Sequence, residues 1–183
     1  PQSLIISGPK NIGLEDLLES VAKGVVCETN SLRPCNSCTS CLLTINSSHP
    51  DIFWLGDEDR EKEVNIENIR KAIEFLGSKP IISKRKILSI NLNQGFSYNA
   101  ISAILKILEE PPDNSYLVIR IDNSGKLPKT IISRCQILEV AQPTREMVEE
   151  WYESRFSKKI NEQDINGFCS ASNFLAPQCN DID

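Results

Sequence analysis

A chain of 183 residues, 40% hydrophobic and 25% charged, has the balance of an ordinary globular protein and enough length to bury a sizeable core. Its 25 acidic residues outnumber its 20 basic ones, giving a net charge of −5 that excludes a general basic footprint for nucleic acid, so a DNA contact would need a local patch or a partner. No apolar stretch approaches membrane-spanning length and no signal-peptide pattern is visible, which points to the cytoplasm, although a start at Pro1 rather than Met leaves a trimmed leader open.

The first predicted element is a strand, Ser3 to Ile6. It runs into SGPKNIGLE (Ser7 to Glu15), where Gly8 and Gly13 stand with four residues between them, as in the phosphate-binding pattern G-x-x-x-x-G-K-[ST]. The lysine position holds Leu14, which cannot neutralise phosphate. The hydroxyl position holds Glu15, whose charge would repel it. The alternative for these glycines is an ordinary strand–helix turn. Leu14, Leu17, Leu18, Val21, Ala22 and Val25 follow at helical spacing, so residues 12–25 form a helix with one buried face.

Residues 26–48 read as a polar, cysteine-rich insert. Four of the seven cysteines, Cys27, Cys35, Cys38 and Cys41, are spaced C-x7-C-x2-C-x2-C. Four thiolates can surround one Zn²⁺ tetrahedrally and leave no open position, so the metal would be structural. An odd cysteine count with tight C-x-x-C spacing argues against a secreted disulfide framework. Pro34, Asn36, Ser37, Thr39 and Ser40 are turn formers, and Asn36 tolerates the left-handed backbone a knuckle needs. An iron–sulfur cluster or unligated thiols are the alternatives. Only Arg33 is basic within the knuckle, which weakens a nucleic-acid reading.

His49 to Leu55 reads as a second strand, and Gly56 to Glu63 as an acidic loop. His49, the only histidine, is a turn or packing residue, because the cysteines already complete a tetrahedron. Ile66 to Leu76 is a helix with Asn65 as N-cap and Gly77 just past its end. Lys86 to Asn91 is a strand. The basic run Lys84-Arg85-Lys86 at its start reads as a solvated entry, with a DNA-backbone contact as the alternative. Asn91-Leu92-Asn93-Gln94 follows, with no carboxylate to hold Mg²⁺. Ser97 caps a helix from Tyr98 to Glu110 that stops at Pro111-Pro112. Glu109 and Glu110 in its last turn oppose the helix dipole, which predicts a basic partner or a contact with another chain. Tyr116 to Ile121 is a strand, Thr130 to Cys135 a short helix, and Ile137 to Val140 a strand. Alternating strands and helices imply a parallel α/β sheet with helices on both faces. After Gln142-Pro143 the pattern changes to one helix, Thr144 to Phe156, and a polar tail, which places a domain boundary near Pro143.

AISAILKILEEPPDNSYLVI (Ala100 to Ile119), LPKTIISRCQ (Leu127 to Gln136) and HPD (His49 to Asp51) after the four-cysteine insert, with the altered glycine loop, together resemble the clamp-loader AAA+ family. The resemblance runs in the correct order over residues 1–142. It is greatest to the branch without working nucleotide motifs. It implies a P-loop/AAA+ type parallel sheet over residues 1–142, a zinc-knuckle insert at 26–48, and part of a small helical lid domain at 143–183. The family's collar domain is not among these residues. The zinc ligands map onto Cys27, Cys35, Cys38 and Cys41. The SRC motif maps onto Ser133, Arg134 and Cys135, and its arginine reaches across a subunit interface to ATP held by the neighbour, as an arginine finger. The alternative for Arg134 is a helix C-terminal arginine paired with a carboxylate; that for Cys135 is a small buried apolar residue. A catalytic member would carry an Asp-Glu pair where Asn91 and Leu92 stand, and a polar sensor residue where Ile121 and Asp122 stand.

The resemblance thus implies a non-catalytic subunit of the replicative polymerase's clamp loader, with structural Zn²⁺ and no functional ATP site at Gly8, Gly13, Leu14 and Glu15. Its partners would be an ATPase subunit and a delta-like subunit, with the sliding clamp and primed DNA reached through the complex. Two alternatives stand: an active AAA+ ATPase of the same fold, and a zinc-knuckle module that binds protein or nucleic acid.

Overall fold

The computed structural model describes residues 2–9, 12–29, 33–56, 66–92, 98–122 and 127–156. Asn65, Asn93, Gln94, Ser97, most of the acidic loop, Cys169, Cys179 and the polar tail lie outside them.

Five strands, β1 (Ser3–Ser7), β2 (Ile52–Leu55), β3 (Lys86–Asn91), β4 (Ser115–Ile121) and β5 (Gln136–Glu139), form one sheet in the order β2-β3-β4-β1-β5. Every pairing is parallel, with Ile5 opposite Ile119 on one side and Ile137 on the other. The helices are α1 (Leu14–Val26), α2 (Thr39–Ile45), α3 (Ile66–Gly77), α4 (Tyr98–Glu109), α5 (Lys129–Ile132) and α6 (Arg145–Phe156).

The period-two alternation of strand side chains divides the core in two. Ile6, Ile87 and Val118 face α1 and pack on Leu14, Leu18, Ala22 and Val26. Their neighbours Ile5, Leu88, Ile90, Leu117 and Ile119 face the other way, onto Ile69, Ala72 and Leu76 of α3, Ala100 and Ile104 of α4, and Ile131 of α5. Helices on both faces explain why the central strands read as continuous apolar runs. Edge strand β5 is exposed along its length.

From β1 the chain crosses to β2 at one edge, returns through β3 and β4, and then passes over β1 to β5. Connections therefore leave β1 and β4 in opposite directions, and the crevice outside their carboxyl ends is where doubly wound sheets take ligands. The glycine loop opens there.

Several boundaries differ from expectation. The cysteine insert holds a helix, α2, so Thr39 and Ser40 are helical rather than turn residues. His49, Pro50 and Asp51 lie before β2 rather than in it, and Gly77 belongs to α3. Helix α5 ends at Ile132, so Ser133, Arg134 and Cys135 form its exit, not its body. Lys86 is not a solvated strand entry. It is 2% exposed, donates to the Phe75 carbonyl at 2.8 Å, and stands 4.2 Å from the Phe75 ring centroid. Neighbouring Asp51, fully buried, accepts N–H bonds from Ile81, Ile82 and Ser83 at 2.6–2.8 Å and so pins the chain before β3. Burial pushes the Asp51 carboxyl up, but these donors outweigh it and hold its pKa below the ordinary value. His49, buried in the same turn, accepts the Asp51 N–H on Nδ1 at 3.0 Å, and burial lowers its pKa.

Candidate functional site

Both glycines of the loop have local reasons to be there. Gly13 is the N-cap of α1 at φ 84°, the left-handed region that glycine enters without strain. At Gly8 an added Cβ would stand 2.8 Å from the Val140 carbonyl oxygen, so a side chain there would push β5's exit away. Each glycine is therefore accounted for by its own place, one against β5's exit and one at the start of α1.

An ion pair joins the first turn of α1, just after the loop, to the sheet. Arg120 lies on β4 opposite Ile6 and Asn91, on the face that packs against α1, with its side chain only 8% exposed. Its Nη2 is 2.6 Å from Glu15 Oε1 and 3.6 Å from Asp122 Oδ1, and its Nε has no hydrogen-bond partner among the described residues. Glu15, in the first turn of α1, also sits favourably on the positive end of the helix dipole. Where the phosphate-loop pattern would place a lysine and a metal-holding hydroxyl, this chain has Leu14, buried at 2%, and a carboxylate bound to a cation from the sheet. Just after β3, Leu92 is buried at 4%.

The four-cysteine cluster lies between α1 and α2. Cys27 is the C-cap of α1, and Cys38 is the N-cap of α2, accepting from the Cys41 N–H. Asn36 takes the left-handed conformation that the sequence predicts, at φ 56°. All four Sγ atoms lie within 4.8 Å of one another. Measured pairs are 3.6 Å for Cys27–Cys35, 4.0 Å for Cys27–Cys38 and 3.9 Å for Cys35–Cys41. Four sulfurs at a Zn–S bond length of 2.3 Å would stand about 3.8 Å apart, so the donor set fits a tetrahedral ion. Backbone N–H groups of Cys35, Cys38 and Cys41 point at the sulfurs of Cys27, Cys35 and Cys38, at 3.3–3.5 Å, and such donors stabilise thiolates. The Ser37 backbone N–H, with its hydroxyl, holds the Cys35 thiol down to about 5, while burial pushes Cys41 up to about 12. These four cysteines could hold a metal ion.

The SRC segment is built from the core outward. Ile131 is fully buried, and half-buried Cys135 packs on the same cluster, its thiol pushed up to about 11 by burial. The Ser133 hydroxyl donates to the Thr130 carbonyl at 3.1 Å. Between these anchors Arg134 points outward. Its Nη1 donates to the Thr130 carbonyl at 2.8 Å and its Nη2 to Glu109 Oε1 at 2.7 Å. The basic partner expected for the acidic end of α4 is thus Arg134. The carboxylate pairing weighed as the alternative reading of this arginine is the arrangement observed.

Compared with known families, residues 1–144 match the model described as "DNA polymerase III, delta subunit". The chain belongs to this family, in its delta-prime branch. It is 29% identical over 153 residues to the DNA polymerase III subunit delta' of Haemophilus influenzae, covering 84% of this chain and 46% of that protein. It spans about half the length of the first curated delta' relatives it matches. A gamma subunit-related protein of Thermotoga maritima superposes with a TM-score of 0.54 at 20% identity, covering 82% of this chain and 47% of that one. The Bacillus subtilis clamp loader delta protein gives 0.52 at 14%, covering 95% and 51%. These two likenesses establish the fold. Among the described residues no helix is long and apolar enough to cross a membrane.

For this delta-prime-branch chain the sequence reading missed one residue of the loop site, Arg120. The signal was present in YLVIRI. An arginine inside an apolar strand must be paired, and the only acidic residue of the neighbouring loop pattern is Glu15.

Proposed function

We propose that this chain is a non-catalytic AAA+ subunit of the DNA polymerase III clamp loader, supplying Arg134 in trans to ATP held by a neighbouring subunit. The observation that carries the reading is the Arg120–Glu15 pair between β4 and the start of α1, with Leu14 buried in the core. A site whose cation is already neutralised by its own carboxylate has little left with which to hold a triphosphate, and Leu92 offers Mg²⁺ no ligand. Family membership supplies the setting: an ATPase subunit and a delta-like subunit as ring neighbours, with the sliding clamp and primed DNA engaged through the complex in the cytoplasm. Arg134 stands on the exit of α5, and a planar cation there suits the charge that spreads over a transferring phosphoryl group. In this reading Zn²⁺ on Cys27, Cys35, Cys38 and Cys41 is structural and ties the end of α1 to α2. Residues 1–142 form the nucleotide-binding-like domain, and residues 143–183 begin the helical lid.

The test is ATP turnover by a reconstituted loader, with clamp and primed DNA, carrying full-length Arg134→Ala subunit. Loss of an arginine finger lowers hydrolysis at the site it serves on the order of 10³-fold, diluted in the total by the other sites. A loader that assembles and turns over ATP unchanged refutes the reading.

A further inference from the structure

The pairing of Arg134 with Glu109 raises a question of geometry. Arginine has a long stem and a planar head with five donors, and a finger acts only if that head meets the phosphoryl group edge-on in a fixed place. Two acceptors hold this head. The Thr130 carbonyl takes Nη1 at 2.8 Å and the Glu109 carboxylate takes Nη2 at 2.7 Å, leaving the side chain 36% exposed. Both acceptors are rooted in the core. Thr130 precedes fully buried Ile131, and Glu109 follows Leu108, which is 7% exposed on the last turn of α4. Pro111 and Pro112 stop that helix just beyond.

A carboxylate at the negative end of a helix is poorly placed on its own account. Glu110, its neighbour, would supply the same charge, yet among the described residues it is Glu109 that meets the guanidinium. An exposed ion pair adds little to stability, so its worth lies in orientation.

Resting on the reading of Arg134 as a finger in trans, we propose that Glu109 is its positioning residue. The carboxylate fixes the rotation of the guanidinium, so that the remaining donors face the neighbouring subunit before nucleotide arrives. Glu109 itself does not touch the substrate.

The experiment uses the reconstituted loader with full-length subunits and single-turnover ATP hydrolysis. Glu109→Gln keeps the side-chain volume and removes the charge. It is expected to lower kcat at the served site about tenfold, with KM for ATP, ring assembly and the subunit's melting temperature unchanged. Glu110→Gln is the control, with kcat unchanged. Glu109→Asp, which restores the charge, recovers part of the loss. Glu109→Gln added to Arg134→Ala lowers kcat no further than Arg134→Ala alone. If Arg134→Ala lowers kcat and Glu109→Gln does not, or if the two losses multiply, the positioning role is wrong and the finger stands. If Arg134→Ala leaves kcat unchanged, the finger reading falls and takes this inference with it.

Discussion

Removing the Glu15 carboxylate tests how the glycine loop is held together. In Glu15→Ala the Arg120 guanidinium stays where it is, 8% exposed, with, among the described residues, no partner for its Nε and Asp122 as its nearest remaining carboxylate at 3.6 Å. Breaking a fully buried pair costs about 3–5 kcal/mol, and breaking an exposed one about 0.2–1 kcal/mol. Here the cation is buried and the carboxylate is 60% exposed, so the loss lies between, at about 1–2 kcal/mol. For a chain of this size that lowers the melting temperature by about 2–8 °C. Arg120→Met fills the same space without a charge and is expected to be near neutral, because replacing a buried ion by an apolar group removes its desolvation cost. In the Arg120→Met background, Glu15→Ala then costs almost nothing. The assay is urea denaturation of the four proteins of the double-mutant cycle. Additive losses, within about 0.3 kcal/mol, would refute the claim that the two side chains form one closed unit.

Two further outcomes follow from the same physical reading. The purified protein is expected to carry one zinc per chain by elemental analysis; Cys35→Ser or Cys41→Ser removes it, and chelation of the wild type lowers the melting temperature, because binding energy at a structural site is folding energy. The native pKa values of His49 and Asp51 both lie below their ordinary values, so the unfolded chain takes up protons first and stability rises with pH. The urea midpoint is therefore expected to fall below about pH 6.5 as unfolded His49 charges, and again below about pH 4 as Asp51 protonates; Asp51→Asn flattens the second fall.

Most of the sheet was legible because burial on both faces writes long apolar runs, such as KILSIN and YLVIRI, and because Pro111-Pro112 and Gly13 punctuate the helices between them. The cysteine spacing gave a ligand set that the fold brings together. Helix α2 was hidden because Thr39 and Ser40 favour turns in isolation, and only the capping by Cys38 and packing against α1 make them helical. Lys86 was misread because a basic run looks solvated, whereas the Phe75 ring and carbonyl that bury it come from α3, eleven residues away in sequence. The partners of Arg120 and Arg134 were hidden for the same reason. Local pattern can say that a charge needs a partner, but only topology brings Glu15 to β4 and Glu109 to the exit of α5.

The central claim is that this subunit has closed its own nucleotide site and serves its neighbour's. Its most direct test is an equilibrium titration of the full-length subunit with a fluorescent ATP analogue and Mg²⁺. The account predicts no saturable binding up to about millimolar nucleotide, a free energy weaker than about −4 kcal/mol. Saturable, Mg²⁺-dependent binding in the micromolar range, displaced by ATP, would contradict it.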